Sequence, residues 1–258
     1  MAQEARHTEK RYKIYPLWEG IAVALATFFA ITATSSFIYI YSIEAQEGEI
    51  RDGLVRTAQV IAATVDGDAH ATFTGEEARN TPAYEAAIEP FRIGIDIDLI
   101  AYVYTTVMKD GKVYFVLDPV PPEEEDAVEI MEEYEDALPD LIKAHQTQEI
   151  VVAEEPQTDQ WGTYISGYVP IHDSQGNFVA VLGLDIPLDK YLERLEPIKL
   201  ATQRAIVTGF FISFLMGSII WFLRNFIAVL NAKRLLLKQD YDVLLGASLK
   251  MRKNRGEK

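Results

Sequence analysis

The sequence contains no cysteine in its 258 residues, which excludes a disulfide framework and any thiolate-held metal. Its four histidines, His7, His70, His145 and His172, show no metal-ligand spacing. Asp66, Asp68, Asp96, Asp98 and the run Glu123 to Asp126 lack the EF-hand pattern, which needs oxygen ligands at fixed offsets and a closing glutamate. A solvated acidic face is the better reading of them. No cofactor is implied. The last 35 residues hold no His-centred phosphorylation segment, no Gly-rich nucleotide loop and no cyclase signature. The middle of the chain lacks sustained heptads, which argues against a long coiled coil. Asp118 and Asp185 would be an acid/base pair only with a nucleophile, a metal or an oxyanion site beside them. The sequence offers none, so an enzyme is not expected.

What is abundant is negative charge, and it is segregated. The net charge is -15, yet Ile43 to Gln203 carries 33 acidic against 10 basic residues, and the rest carries 14 basic against 6 acidic. An acidic middle between basic ends is explained by a membrane, and nothing here suggests a nucleic-acid partner. Ile21 to Tyr41 is uncharged for 21 residues; as a helix it spans roughly 31 Å, the thickness of a bilayer core. Trp18 stands at one end and Tyr39 and Tyr41 at the other, as in an aromatic belt. An uncleaved signal anchor is favoured over a cleaved signal peptide, because the run is long and no small-x-small cleavage site follows. A second uncharged run, Ala205 to Leu223, lies between Arg204 and Arg224.

These features divide the chain into a cytoplasmic tail (1–17), a first span (18–42), an outer domain (43–203), a second span (204–224) and a basic cytoplasmic tail (225–258). The positive-inside rule places both termini in the cytoplasm, which makes this a two-pass protein of the cell (inner) membrane. In the second span Gly209, Ser213 and Gly217 recur every four residues, as Ala22, Ala26 and Ala30 do in the first. Such small faces allow close helix approach, in a homodimer or between the two spans of one chain.

In the outer region, Ile43 to Val65 keeps helical spacing up to Asp66-Gly67-Asp68. Thr81 to Ile93 reads as a shorter helix. Leu99 to Met108 and Lys112 to Asp118 flank an Asp110-Gly111 step, a strong hairpin signal. Glu123 to Gln148 is expected to be an acidic helix with Val128, Met131, Leu138, Leu141 and Ile142 as its apolar stripe. A short strand is expected at Ile150 to Ala153. Thr163 to Ile171 alternates, with Tyr164, Ser166 and Tyr168 on one face and Ile165, Val169 and Ile171 on the other. After a polar turn, Phe178 to Ile186 is nearly all apolar and reads as a mid-sheet strand. Leu188 to Gln203 is helical, with Pro197 a candidate kink. Antiparallel strands with helices to one side give an α+β class.

Four segments carry a family resemblance: YVYT (102–105), GKVYFVLDP (111–119), DQWGTYISGYVPI (159–171) and GNFVAVLGLDI (176–186). Together, between two spans, they resemble the single Cache domain, the PAS-like extracytoplasmic sensor of bacterial receptors, over roughly Ile43 to Tyr191. The resemblance implies a PAS-like antiparallel sheet with a long N-terminal helix. It implies a small-molecule pocket lined by strands and their adjoining loop, and it places Trp161, Tyr164 and Asp185 there first.

From the residues themselves, Tyr102, Tyr104, Tyr114, Trp161, Tyr164 and Tyr168 crowd the two hairpins. Aromatics fill any pleated core, which accounts for about half of these; buried tyrosine hydroxyls beside Ser166, Asp118 and Asp185 would also suit a polar ligand. The two carboxylates suit a cationic or amine group. Asp185 either starts the turn before Pro187 or sits at the rim of the pocket. Family members usually continue into an output domain, whereas only 35 residues, Arg224 to Lys258, follow the second uncharged run. Output is therefore expected on a partner such as a cyclase or kinase, unless the receptor is reduced or truncated. The rival readings are an assembly protein of the polysaccharide chain-length-regulator type and a ligand-free regulatory subunit.

Overall fold

A computed structural model describes residues 15–95 and 99–256. The basic segment 1–14 and two of the acidic residues weighed against the EF-hand pattern, Asp96 and Asp98, lie outside the described residues. The chain forms two compact units, one of residues 40–200 and one of the flanking residues on either side.

In the flanking unit, the first part of helix α1 (Pro16–Ala62) pairs with the later part of helix α5 (Leu188–Gly256). Both helices contain stretches long and apolar enough to cross a membrane. Glycine sets their approach. A Cβ on Gly217 would lie 2.6 Å from the Gly20 carbonyl oxygen and 2.7 Å from Ala24 Cβ, and one on Gly209 would lie 2.5 Å from Ile31. The small face expected at Gly209, Ser213 and Gly217 is thus used against α1. Ala22, Ala26 and Ala30 are exposed, and Gly20 and Ala24 make the contact in their place. Arg224 Nε lies 2.6 Å from Glu19 Oε2, pairing the two helices.

The unit of residues 40–200 is built on a six-stranded antiparallel sheet. Its strands are β1 (Tyr102–Lys109), β2 (Lys112–Phe115), β3 (Val151–Val152), β4 (Gln157–Thr158), β5 (Thr163–His172) and β6 (Phe178–Pro187). The order is β2-β1-β6-β5-β3, with β4 beside β5. This is the α+β antiparallel sheet with a long N-terminal helix that the sequence predicts. Asp110 and Gly111 turn β1 into β2 with φ of 51° and 80°, the left-handed region that an Asp-Gly pair tolerates.

Strand period two sorts the side chains between two cores. On one face Val103, Ile165, Val169, Leu182, Leu184 and Ile186 pack with Ile50, Leu54, Ala58 and Ile61 of α1. Tyr84, Ile88 and Phe91 of α3 (Pro82–Ile95) join them. On the other face Tyr104, Phe115, Tyr168 and Val181 pack with Val128, Tyr134, Leu141 and Ala144. With both faces covered, β6 must be apolar on both, which is why it reads as a continuous run. Within it Val181, Gly183 and Asp185 share the second face. β6 passes into α5 without a loop, since Pro187 ends the strand and Leu188 begins the helix.

The helix expected over Glu123 to Gln148 is not formed. Within it only Pro139–Thr147 is helical, as α4; the short α2 (Gly67–His70), capped by Asp66, lies before α3. Residues 119–138 run instead as an irregular insert beside β2. Met131 N donates to the Phe115 carbonyl (2.7 Å), Phe115 N to that of Glu132 (3.0 Å) and Tyr134 N to that of Val113 (2.9 Å). Like charges explain the loss of helix: Glu125, Glu129, Glu132, Glu133 and Asp136 would stand three or four apart on a helix and repel. Buried Arg79 fastens the insert by donating to the Val128 carbonyl and to Glu76.

Candidate ligand-binding site

The second face of the sheet, the insert and the loop before β5 enclose a cavity of about 30 Å³, room for one or two waters. Its floor is a small grid fixed by register. Tyr102 and Ser166 both stand opposite Asp185, one from each neighbouring strand, and Tyr104 and Tyr168 both stand opposite Gly183. The glycine is required there, because a Cβ would lie 2.5 Å from the Tyr104 ring. Tyr104 lies across the space a larger side chain would fill.

The walls are aromatic and interlocked. Phe115 stacks on Tyr134 with centroids 4.8 Å apart, and Trp161 meets both rings edge-on at 5.6 and 5.4 Å. Tyr102 and Tyr164 meet edge-on at 5.7 Å. The loop that carries Trp161 is held by Asp159. One of its oxygens accepts from Trp161 N (2.9 Å) and Gly162 N (3.1 Å), and the other accepts from the Tyr134 hydroxyl. Tyr164 donates to the Trp161 carbonyl (2.7 Å), and Tyr102 donates to Asp126 (2.8 Å).

Two carboxylates of the cavity are buried. Asp118 has both oxygens engaged, with Val120 N at 3.0 Å and Val128 N at 3.2 Å. Burial raises its pKa to about 6, against the pull of those two amides and of Arg79. Asp118 therefore also serves as an anchor for the insert. Asp185 is buried at 3% exposure, and burial raises its pKa to about 7, with Asp159 nearby acting in the same direction. The Ser166 and Tyr104 hydroxyls lie close enough to lower it somewhat. Yet Asp185 Oδ1, Ser166 Oγ and the Tyr104 and Tyr168 hydroxyls make no well-formed hydrogen bond. Burial pushes Tyr104 and Tyr168 well above the ordinary tyrosine value, with the Asp185 charge adding to it. Both hydroxyls stay protonated. Each unpaired buried group costs roughly 1–3 kcal/mol, and of these four residues Asp185 and Tyr104 line the cavity.

Of the residues singled out in the sequence, the structure brings Tyr102, Tyr104, Asp118, Trp161, Tyr164 and Asp185 to the cavity wall. Ser166 and Tyr168 lie on the same face of the sheet, beside the wall residues Asp185 and Tyr104. Tyr114 lies elsewhere: it pairs with Val107 on the opposite face and bridges to Glu133. Its neighbour Phe115 takes the wall position. Val120, Asp126, Val128 and Tyr134 of the insert, and Asp159, also line the cavity and are absent from the sequence-based set. Asp159 stands inside one of the motifs quoted above; the insert residues carried no local signal once the stretch was read as helix.

No protein-family model matches the sequence, and no curated protein matches it. Solved structures do. The ligand-binding domain of the Campylobacter jejuni chemoreceptor Tlp3, in complex with L-valine, is similar over 71% of this chain and 68% of its own, with 16% identity and a TM-score of 0.44. The sensor domain of E. coli DcuS is similar over 57% of this chain and 97% of its own, with 18% identity and a TM-score of 0.41.

Proposed function

We propose that this chain is a two-pass membrane receptor whose outer, Cache-like domain binds a small ligand and passes the signal to a separate output protein such as a cyclase or kinase. The observation that carries the reading is Asp185. A buried carboxylate whose Oδ1 makes no well-formed hydrogen bond, on the floor of an aromatic-walled cavity, is costly to the empty fold and available to a ligand. The reading is one of binding, without catalysis.

The cavity is small and partly open. A ligand larger than a few atoms enters by displacing the Trp161 loop. The closed and ligand-filled arrangements then differ in how Tyr134, Asp159 and Trp161 pack. A ligand shifts a receptor only by binding one arrangement better than the other, and this aromatic cluster supplies the difference. The sheet and its two cores, in place of a long outer coiled coil, favour a sensor over a chain-length regulator. Basic residues at both ends of the sequence favour cytoplasmic termini, with the acidic domain outside.

The test is calorimetry on the purified full-length protein in detergent against a library of small cationic, neutral and acidic metabolites. Saturable binding by at least one compound, weakened by Trp161→Ala, is expected. A library that yields no such binder removes the receptor reading in favour of a ligand-free regulatory subunit.

A further inference from the structure

On the face of the sheet opposite the Asp185 cavity, α1, the residues leading into β1, the end of β6 and the first turns of α5 border a groove of about 260 Å³. The Asp185 cavity holds about 30 Å³, and ligand pockets begin at roughly 300 Å³. The floor of the groove is apolar, with Ile50, Leu54, Ile100 and Ile186. Arg56 of α1 and Arg194 of α5 also line it, and both are exposed.

Two observations mark this groove. The first is charge. Ile43 to Gln203 holds 33 acidic residues against 10 basic ones, so a cation here readily finds an acid, as Arg51, Arg79, Arg92, Lys112 and Lys190 do. The Arg56 and Arg194 guanidiniums make neither a hydrogen bond nor an ion pair among the described residues. Glu49, which also lines the groove, pairs with neither, so the lining carries a net positive charge. The second observation is Gly53, which shares a face of α1 with Glu49 and Arg56. Glycine in a helix interior is destabilising. A Cβ at Gly53 would meet nothing within 4 Å, so no close packing within the chain requires glycine there. Its missing side chain is space in the groove.

We propose that this groove is a second binding site, for a small amphipathic monocarboxylate. The hydrocarbon lies on the apolar floor, and the carboxylate is held by Arg56 and Arg194. A guanidinium presents paired N–H donors that match the two oxygens of a carboxylate. A second carboxylate on the ligand would lie against the apolar floor without a partner, which is costly. An alcohol of the same length brings the hydrocarbon without the charge. A ligand held this way bridges α1 and α5. The site is separate from the Asp185 cavity and does not depend on the receptor reading, which is decided at Trp161.

The probes are hexanoate, adipate (the same chain with a second carboxylate) and hexanol, titrated into the full-length protein in detergent at about pH 7.5, where both acids are ionised. Titration into detergent alone is subtracted. Hexanoate is expected to bind saturably, with adipate and hexanol at least about fivefold weaker. Replacing both arginines, Arg56→Gln with Arg194→Gln, is expected to weaken hexanoate about tenfold, a modest loss because both guanidiniums reach solvent. Lys143→Gln, a cation lost from α4 on the other face of the sheet, is expected to change nothing. Gly53→Leu fills the groove and favours the helix, so hexanoate binding is lost while the melting temperature holds or rises. Silence of hexanoate, adipate or hexanol binding as tightly, an equal loss in Lys143→Gln, or full affinity in the double variant or in Gly53→Leu overturns the proposal. If light scattering shows that Gly53→Leu splits a dimer, the groove is filled by a second copy, and the proposal falls as well.

Discussion

Thr105 and Thr106 are consecutive on β1, point to opposite faces of the sheet, and each meets a buried imidazole at 2.8 Å: His70 Nε2 on one side and His145 Nε2 on the other. Burial lowers both histidine pKa values to about 4. Between pH 4 and 6.5 the unfolded chain therefore binds more protons at these two sites, and their contribution to stability is lost as pH falls through that window. Asp118 and Asp185 act in the opposite sense. Their raised values of about 6 and 7 mean that the folded state holds protons the unfolded state releases, so they cost stability as pH rises from about 4 to about 7.

The two effects nearly cancel, and a flat stability profile between about pH 4 and pH 6 is expected. Asp185→Asn removes one opposing group. The variant should be more stable than the wild type at pH 8, and the advantage should shrink by up to about 1.4 kcal/mol per pH unit on acidification. Urea melts of both proteins from pH 4 to 8 measure this. A constant difference across the range would show that Asp185 does not titrate as a buried acid.

Arg79 holds the insert to the body of the domain through Val128 and Glu76 and lies 5.7 Å from the Tyr84 ring. Arg79→Met keeps the bulk and removes the donors, leaving the Val128 carbonyl unpaired at a cost of about 1–3 kcal/mol. A glutamate-specific protease should then cut between residues 123 and 135 faster than in the wild type, with circular dichroism unchanged. Equal cutting rates would assign the clamp to the backbone pairing with β2.

The excess of 33 acidic over 10 basic residues between Ile43 and Gln203 makes the domain repel itself. Screening shortens the reach of each charge from about 30 Å at 0.01 M salt to about 3 Å at 1 M. The full-length protein in detergent should melt several degrees higher in 1 M than in 0.01 M sodium chloride. A lower melting point at high salt would mean that ion pairs such as Lys112–Glu133 outweigh the repulsion.

Membrane orientation is checked by reporter fusions. A reporter after residue 120 and another at the C-terminus should report opposite sides of the membrane. The same side for both would refute the orientation and the outward-facing pocket with it.

The strands of the fold were legible because period-two alternation and an Asp-Gly turn are local signals, and the spans because an uncharged run of that length has few other uses. The insert was not legible. Val128, Met131 and Leu138 fall at helix-compatible intervals, but the insert is placed by backbone bonds of Met131, Glu132 and Tyr134 to Phe115 and Val113 and by the bonds of Val128 to Asp118 and Arg79, long-range pairings that no window of sequence contains. Tyr134, Val128 and Asp126 were lost to the site for that reason. Tyr114 and Phe115 show a different limit. β2 is four residues long with two aromatics side by side, and alternation by itself does not say which of them faces the cavity. Asp185 stands out in the sequence as a carboxylate near the end of an apolar strand, and its parity with Val181 and Gly183 puts it on the cavity face.

The direct passage of β6 into α5 has a mechanical consequence. Asp185 is three residues from Leu188, and between them lies a proline-ended strand with no loop to flex. Tyr191, one turn further on, is buried in the same core as Ile186 and Leu184. The junction has no slack. A push on the strand at Asp185 is taken up by compressing its hydrogen-bonded neighbours β1 and β5, or it arrives undamped at the first turn of the helix.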